Sequence, residues 1–451
     1  MPVKRYESDP ADVSRLAQPL EFEFSGRTAK NRFFKAAMAE GLASWHATDV
    51  QARGIPTKEL VELYRRWGEN EWGVITTGNI DIEFERLNGV GDMIVTPECP
   101  KSGPRFEAFK ELASGAKANG SLLVAQVTHP GRQLSARIHK DTISPSGLKE
   151  SVPKLSEAYA VPREATKDDI ARLIDGFSHA AEYLQEAGFD GIELHGAHGY
   201  MLSQFLSERT NHRTDEYGGS VENRLRIVLE IAEAVRRRTK PGFVVGIKIN
   251  SVEFQDKGIK PEEARQICEG LQDARFDFVE LSGGNHEDIG FGGERESTRK
   301  REAYFIEFVR DIVPNLTRTR KYLVGGFRTA ASMVQALDRD LDGISLARPA
   351  AQEPRLPTDI LAGRVTGAIR PLMEFIADIW PGLQASNAHL LQIGRGFEPF
   401  DLSDEKAAAA FKEDYAVFAA KLAADGDKLK VHGVTELTAP GTSSRLYGDA
   451  Y

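Results

Sequence analysis

Short apolar or β-branched runs alternate with amphipathic stretches along most of this chain. The stretch FEFSGRTAKNRFF predicts a hairpin around Ser25-Gly26 that leads into a strand near Phe33–Ala39. Seven further runs read as strands: GVITTGNI, LLVAQVT, FDGIEL, FVVGIKIN, FDFVELSG, KYLVGGF and LDGISLA. Helical period separates them, in TKELVELYRRWGEN, FEAFKELASGAKANG, SVENRLRIVLEIAEAVRRR, PEEARQICEGLQDA, AYFIEFVRDIV and TAASMVQALDR. One more helix begins at a capping pattern, Thr166 to Asp169. Its apolar stripe is Ile170, Leu173, Ile174, Phe177, Ala181 and Leu184, and Gly188 stops it.

Eight strands, each followed by a helical segment, predict a closed (β/α)₈ TIM barrel. An open doubly wound sheet is the alternative. The count of eight, and the lack of a G-x-G-x-x-G turn after the first strand, favour the barrel. Beyond residue 354 the chain turns helical (EKAAAAFKEDYAVFAAKLAADG) and then polar and Gly/Ser/Thr-rich. We therefore divide it into a barrel at 1–365 and a C-terminal helical extension and tail at 366–451, with its last ~20 residues expected to be weakly ordered.

Composition narrows the function classes. Apolar content of 41% and charged content of 28% suit a soluble globular protein. A net charge of −9 without a dense Lys/Arg block argues against nucleic acid or an anionic membrane as partner. Cys99 and Cys268 are the only cysteines, too few for an iron–sulfur cluster or a thiolate zinc site. The N-terminal residues have no apolar core of a signal peptide, and no apolar run nears the ~20 residues that span a bilayer. A reducing, cytoplasmic setting is the expectation. Self-association as a homo-oligomer is left open.

Candidate chemistry concentrates where barrel enzymes carry it, at the carboxyl ends of the strands. ELHGAHGY places His195, His198 and Tyr200 there. Three readings compete: a zinc chelate, hydrogen-bonded filler, or two N–H donors aimed at one oxygen with a phenol as proton donor. Zinc lacks a third ligand, and Glu193, the nearest acid, is read as facing away from the histidines. Lys248 lies inside the apolar strand GIKIN. It is a Schiff-base nucleophile, a cation for the electron-rich edge of a cofactor, or one end of a salt bridge across the barrel. Gly325-Gly326 and the LARP turn, with Arg328 and Arg348, occupy the last two strand ends, where barrels often bind phosphate. Asn211 to Arg224 reads as a self-bonded loop capped by Ser220. The loop 129–165 and the stretch 284–301 are expected to roof the pocket.

Together these motifs resemble the Old Yellow Enzyme family of FMN-dependent oxidoreductases. GIELHGAHGYMLSQFLSERTNHRTDEYGGSVENRLRIVLEIAEAVR is very similar to the family's core signature. VAQVTHPGR resembles its QLxHxGR element, RTAKNRFFKAAMAEG its opening strand, and VGGF with DGISLARP its phosphate end. The likeness spans roughly residues 20 to 365. It implies a barrel that holds FMN non-covalently and takes hydride from NADH or NADPH. By that likeness Ala36, Ala37, Met38 and Ala39 line the flavin with backbone groups, and Gly78 sits near its ring. Gln126 bonds the pyrimidine edge, and Lys248 stands where the family usually has arginine. Ala347 and Arg348 hold the phosphate, with Gly325 and Gly326 close by. His195 and His198 match the donors to a substrate carbonyl, and Tyr200 matches the proton donor. No metal is implied.

The implied reaction is reduction of the C=C bond of an enone or enal. A Schiff-base lyase using Lys248, or an isomerase or dehydrogenase of the same family, stays open. Ala39 replaces the usual threonine or cysteine, Ala37 a proline and Ala347 a glycine. The loss of a hydrogen-bond donor at position 39 is expected to make the flavin harder to reduce. The four-cysteine cluster of the dienoyl-CoA reductase branch is absent.

Overall fold

Backbone pairing closes eight parallel strands into a ring. The structure is a computed structural model that describes residues 3–149, 159–250, 258–282, 315–372, 379–438 and 445–448. The barrel strands are β1 (Phe33–Lys35), β2 (Val74–Asp81), β3 (Leu122–Thr128), β4 (Gly191–Gly196), β5 (Val244–Asn250), β6 (Phe278–Ser282), β7 (Arg320–Val324) and β8 (Gly343–Leu346). Each pairs in parallel with the next, and β8 pairs with β1, so the sheet has the closure expected of the barrel. β1 is shorter than the sequence suggests. The Ala36 amide still donates to Leu346 O at 2.9 Å, but the chain then leaves its partners and runs out to an exposed Ala39.

Between the strands the helices bury one face on the sheet. Thr166 and Asp169 form the expected capping box for Lys167–Glu186, and the Ser220 hydroxyl caps Val221–Arg238. Three short strands have no counterpart in the sequence reading. Met93–Ile94 adds two residues of strand beside the end of β2, too short to carry a period. Thr142–Ser144 pairs with Pro162–Glu164 inside the loop 129–165. The expected helix at 303–313 and the roof stretch 284–301 lie outside the described residues.

The amino-terminal end of the barrel is plugged. The hairpin Leu20–Phe22/Arg27–Ala29 covers it, and Phe22, Phe34, Phe278 and Tyr322 fill it. Phe34 contacts the Phe278 and Tyr322 rings at centroid distances of 5.4 and 4.7 Å. A dry, aromatic base leaves polar chemistry to the other end.

Beyond the barrel, helix Ile379–Gly394 packs on Lys58–Gly68 and on Arg348–Gln352, and Glu405–Asp425 follows it. The chain then reaches the rim of the carboxyl end, where Trp45 Nε1 donates to Leu429 O (3.1 Å) and Arg137 Nε to Gly426 O (2.8 Å). Among the described residues, no helix is long and apolar enough to cross a membrane.

One buried acidic pair lies at the end of β2. Burial, aided by the neighbouring Glu40, lifts the Asp92 carboxyl to about 8, against hydrogen bonds from Asn79 and Gly89. Burial and the charge of Asp92 hold the Asp81 carboxyl well above the usual range. An acid whose folded pKa is raised keeps its proton in the fold after the unfolded chain has lost it. Stability therefore falls as pH rises from about 4 to about 8. The slope reaches ~1.4 kcal/mol per pH unit for each such group. Asp92→Asn is expected to flatten this fall, read as thermal midpoints at pH 5, 7 and 9. A parallel decline in wild type and variant would remove Asp92 from the account.

Candidate active site

All the strand ends named from the sequence meet at the open end of the barrel. β4 carries His195 and β5 carries Lys248, and the two residues are register partners. Gln126 pairs with Glu193 across β3 and β4, Lys248 with Glu280 across β5 and β6, and Asn250 with Ser282 above them. By register, Gln126 and Glu193 form one inward level, His195, Lys248 and Glu280 the next, and Asn250 and Ser282 lie one step nearer the mouth.

His195, His198 and Tyr200 come together. The ring centroid of His195 lies 5.3 Å from that of His198 and 4.7 Å from that of Tyr200. His195 is 4% exposed, while His198 and Tyr200 are half-buried. Backbone geometry builds the cluster. After β4 ends, His198 adopts φ = 59°, a left-handed conformation that costs a non-glycine residue ~1–3 kcal/mol. Three contacts hold it there: its amide donates to Asn250 Oδ1 (3.1 Å), its Nε2 meets Ser282 Oγ (2.8 Å), and its carbonyl accepts from Gln133 Nε2 (3.1 Å). Tyr200 then starts the short helix Met201–Leu206 as its N-cap.

The Ala197 amide donates to His195 Nδ1 at 3.4 Å, which leaves Nε2 as the nitrogen that can donate onward. His198 Nε2 shares its hydrogen bond with Ser282 Oγ, and either atom can donate in it.

Glu193 does not face away from the histidines. Residues 193 and 195 are two apart on one strand, so they share a face, and both point into the barrel. Glu193 Oε1 accepts from Gln126 Nε2 (3.2 Å) and stands 3.6 Å from Lys248 Nζ. On the other side Glu280 Oε2 is 2.8 Å from the same ammonium. The salt bridge across the barrel weighed from the sequence is therefore present, with two acids in place of one. Burial pulls the Lys248 pKa down, but the two carboxylates override it and the net shift is upward. Burial lifts the Glu193 carboxyl to about 8, helped by Glu280 and opposed by Lys248. Glu193 Oε2 and Glu280 Oε1 have no hydrogen-bond partner among the described residues.

A second buried group sits under the first two strand ends. Lys35 Nζ donates to Thr76 O (2.8 Å) and lies 4.1 Å from the Trp67 ring. Glu40 accepts from the Tyr64 hydroxyl and, at 2.9 Å, from the Gly78 amide. A Cβ at Gly78 would lie 2.2 Å from Glu40 Oε2 and 2.3 Å from Met38 O, so glycine is needed for strand packing. Neither Lys35 nor Glu40 was singled out from the sequence. A charged residue next to a strand of otherwise apolar inward positions was the available signal.

Just past the end of β7, Gly325 and Gly326 adopt φ = 143° and 77°. A Cβ at Gly325 would meet nothing within 4 Å, so its backbone borders open space. Ala347 caps the short helix Arg348–Gln352, and both Ala347 and Arg348 are half-buried. Arg328 Nη1 donates to Phe327 O at 2.9 Å. The 211–224 loop is self-bonded in part, with Asn211 Nδ2 donating to Tyr217 O and Arg213 paired with Asp215, and it is also tied outward, with Asn211 donating to Phe205 O and Arg213 to Pro145 O and Ala165 O. Among the described residues no group of three or more His, Cys, Asp or Glu is placed to hold a metal ion.

A family model described as NADH:flavin oxidoreductase / NADH oxidase matches residues 15–366. The NADH-dependent flavin oxidoreductase nadA of Aspergillus parasiticus is 46% identical over 88% of this chain and 90% of its own. Among solved structures, an Old Yellow Enzyme homologue from Zymomonas mobilis matches with a TM-score of 0.62 at 24% identity, covering 81% of this chain and 96% of its own. Morphinone reductase matches with a TM-score of 0.62 at 22% identity, over 79% of this chain and 91% of its own. At these identities the two structures speak for the fold.

Proposed function

Because the chain belongs to the NADH:flavin oxidoreductase / NADH oxidase family, we propose that it is an ene-reductase, passing hydride from NADH or NADPH to the C=C bond of an α,β-unsaturated ketone or aldehyde. FMN and a nicotinamide are its cofactors. The residues at the mouth suit FMN. A flavin's pyrimidine edge carries carbonyls and an N–H, and the barrel offers it an ammonium, an amide and buried carboxylate oxygens lacking partners among the described residues. In this reading Lys248 and Gln126 hold that edge, while Ala36, Ala37, Met38, Ala39 and Gly78 border the ring. Gly325, Gly326, Ala347 and Arg348 take the phosphate, at the strand ends where barrels favour it.

Bound FMN supplies the two-electron chemistry, accepting hydride from the nicotinamide and giving it to the substrate. The chain does the rest. His195 and His198 donate hydrogen bonds to the substrate oxygen, which gains charge as the C=C bond is reduced. Donors already in place stabilise such a charge by about 3 kcal/mol. Tyr200 gives its proton to the carbon next to the carbonyl; a phenol with an ordinary pKa of ~10 is protonated at neutral pH. Asn250, Ser282 and Gln133 keep His198 in its strained conformation, so the donor does not reorganise during reaction. The observation that carries this reading is the meeting of two imidazoles and a phenol at the end of β4.

The Schiff-base alternative loses ground at Lys248. A nucleophilic lysine needs a lowered pKa, and two carboxylates hold this one in its charged form. We place the reacting unit within 1–365, with 366–451 as an appended layer in a cytoplasmic protein. A product-resolved screen of cyclic and linear enones and enals, run with NADH and with NADPH, tests the function. The expected result is a saturated carbonyl, with one nicotinamide oxidised per molecule. Only rearranged or desaturated products would assign the isomerase or dehydrogenase alternative instead.

A further inference from the structure

Among the described residues, the centre of the barrel holds more buried acid than buried base. Glu193 and Glu280 are fully buried, Lys248 is 3% exposed, and both acids converge on its one ammonium at 3.6 and 2.8 Å. The other groups facing this cluster are Gln126, which donates to Glu193, His195 beside Lys248, and Tyr322, the register partner of Glu280. Lys35 lies within electrostatic reach of both acids, and Glu40 is the largest of its own charge partners. Counted with or without that Lys35–Glu40 pair, the described residues leave one acid in excess. An uncompensated carboxylate in such a place costs several kcal/mol, so two acids on one cation keep a proton between them.

We propose that Glu193 and Glu280 share one exchangeable proton over Lys248, and that this cluster takes up a proton when negative charge arrives on the ligand above it. The inference rests on the FMN reading given above. Its chemistry balances. Reduction of FMN to its anionic form consumes two electrons and one proton; when the cluster is deprotonated beforehand, a second proton enters the protein and resides on Glu193 or Glu280. The flavin thus gains a counter-charge without any new cation. Lys248 positions the pair, and His195, beside Lys248, is shielded from a bare carboxylate. Burial lifting Glu193 to about 8 agrees with a proton held at neutral pH.

The test is the midpoint potential of the FMN-loaded protein from pH 6 to 10, poised with dithionite against reference dyes. A tenfold change in proton concentration moves a two-electron couple by ~30 mV for each proton taken up. Wild type is expected to follow one proton below pH ~8 and two protons above it, so the slope doubles there. Glu193→Gln and Glu280→Gln each leave one acid on one lysine, so both are expected to give a straight one-proton line. Glu280→Asp, which retains the acid, should keep the bend. A straight line in fully flavinated wild type, or a bend that survives in both glutamine variants, would overturn the inference and leave the functional reading intact. Wild-type protein that takes up no FMN would overturn that reading, and the inference with it. The wild-type curve needs no variant, so a poorly folding mutant does not block the test.

Discussion

Tyr200→Phe is expected to slow enone reduction by ~10²–10⁴-fold, the range that a positioned general acid contributes. Flavin reduction by NADH or NADPH should stay near the wild-type rate, because no proton from Tyr200 enters that half. The substitution removes one oxygen from a half-buried ring that packs 4.7 Å from His195, so the fold should tolerate it. Stopped-flow traces of the two half-reactions separate the outcomes. Equal slowing in both halves would mean that the ring shapes the pocket and that its hydroxyl moves no proton. Activity that survives unchanged would hand the proton to solvent or to another residue.

Replacing the histidines should strike the same half-reaction through a different term. His195→Ala or His198→Ala is expected to cost ~10²–10³-fold in enone turnover, the usual loss for one donor to a developing oxyanion. Phenols mimic the charged oxygen of that state, so their binding should weaken in both variants, seen as loss of the long-wavelength absorbance that a phenol stacked on a flavin gives. FMN content should remain near wild type, because neither imidazole is assigned to the cofactor. His198→Ala should also relax the backbone, since a left-handed residue tied by Asn250, Ser282 and Gln133 loses its Ser282 contact. Loss of FMN from both variants, with phenol binding intact in whatever flavin remains, would contradict the donor assignment.

Much of the fold was legible in the chain. Parallel barrel strands are buried on both sides, so they appear as short apolar runs, and seven of the helices between and after them carry a clear stripe or cap. The same logic placed His195, His198 and Tyr200 at a strand end, where the structure brings them together. What the sequence concealed was direction and partnership. The sequence reading turns Glu193 away from the histidines, whereas strand alternation puts it on the His195 side. Glu280 passed as an ordinary residue of FDFVELSG, because nothing local marks it as the partner of a lysine 32 positions earlier. Asn250 and Ser282 lie at the ends of β5 and β6, and their role depends on how far His198 bends back, a tertiary feature. Lys35 and Glu40 were hidden inside a motif read only for its backbone. β1 ends sooner than its sequence suggests because apolar alanines continue past Lys35, after hydrogen bonding to β8 has stopped at Ala36.

The central claim is that the histidine–tyrosine cluster serves reduction of an activated C=C bond by reduced FMN. An anaerobic single turnover tests it most directly. The protein, loaded with FMN and reduced with one equivalent of NADH, is mixed with 2-cyclohexen-1-one, and absorbance near ~450 nm is followed while the product is quantified. The account requires the oxidised flavin band to return with one equivalent of cyclohexanone per flavin. A flavin that stays reduced across a panel of enones and enals until oxygen is admitted would contradict it.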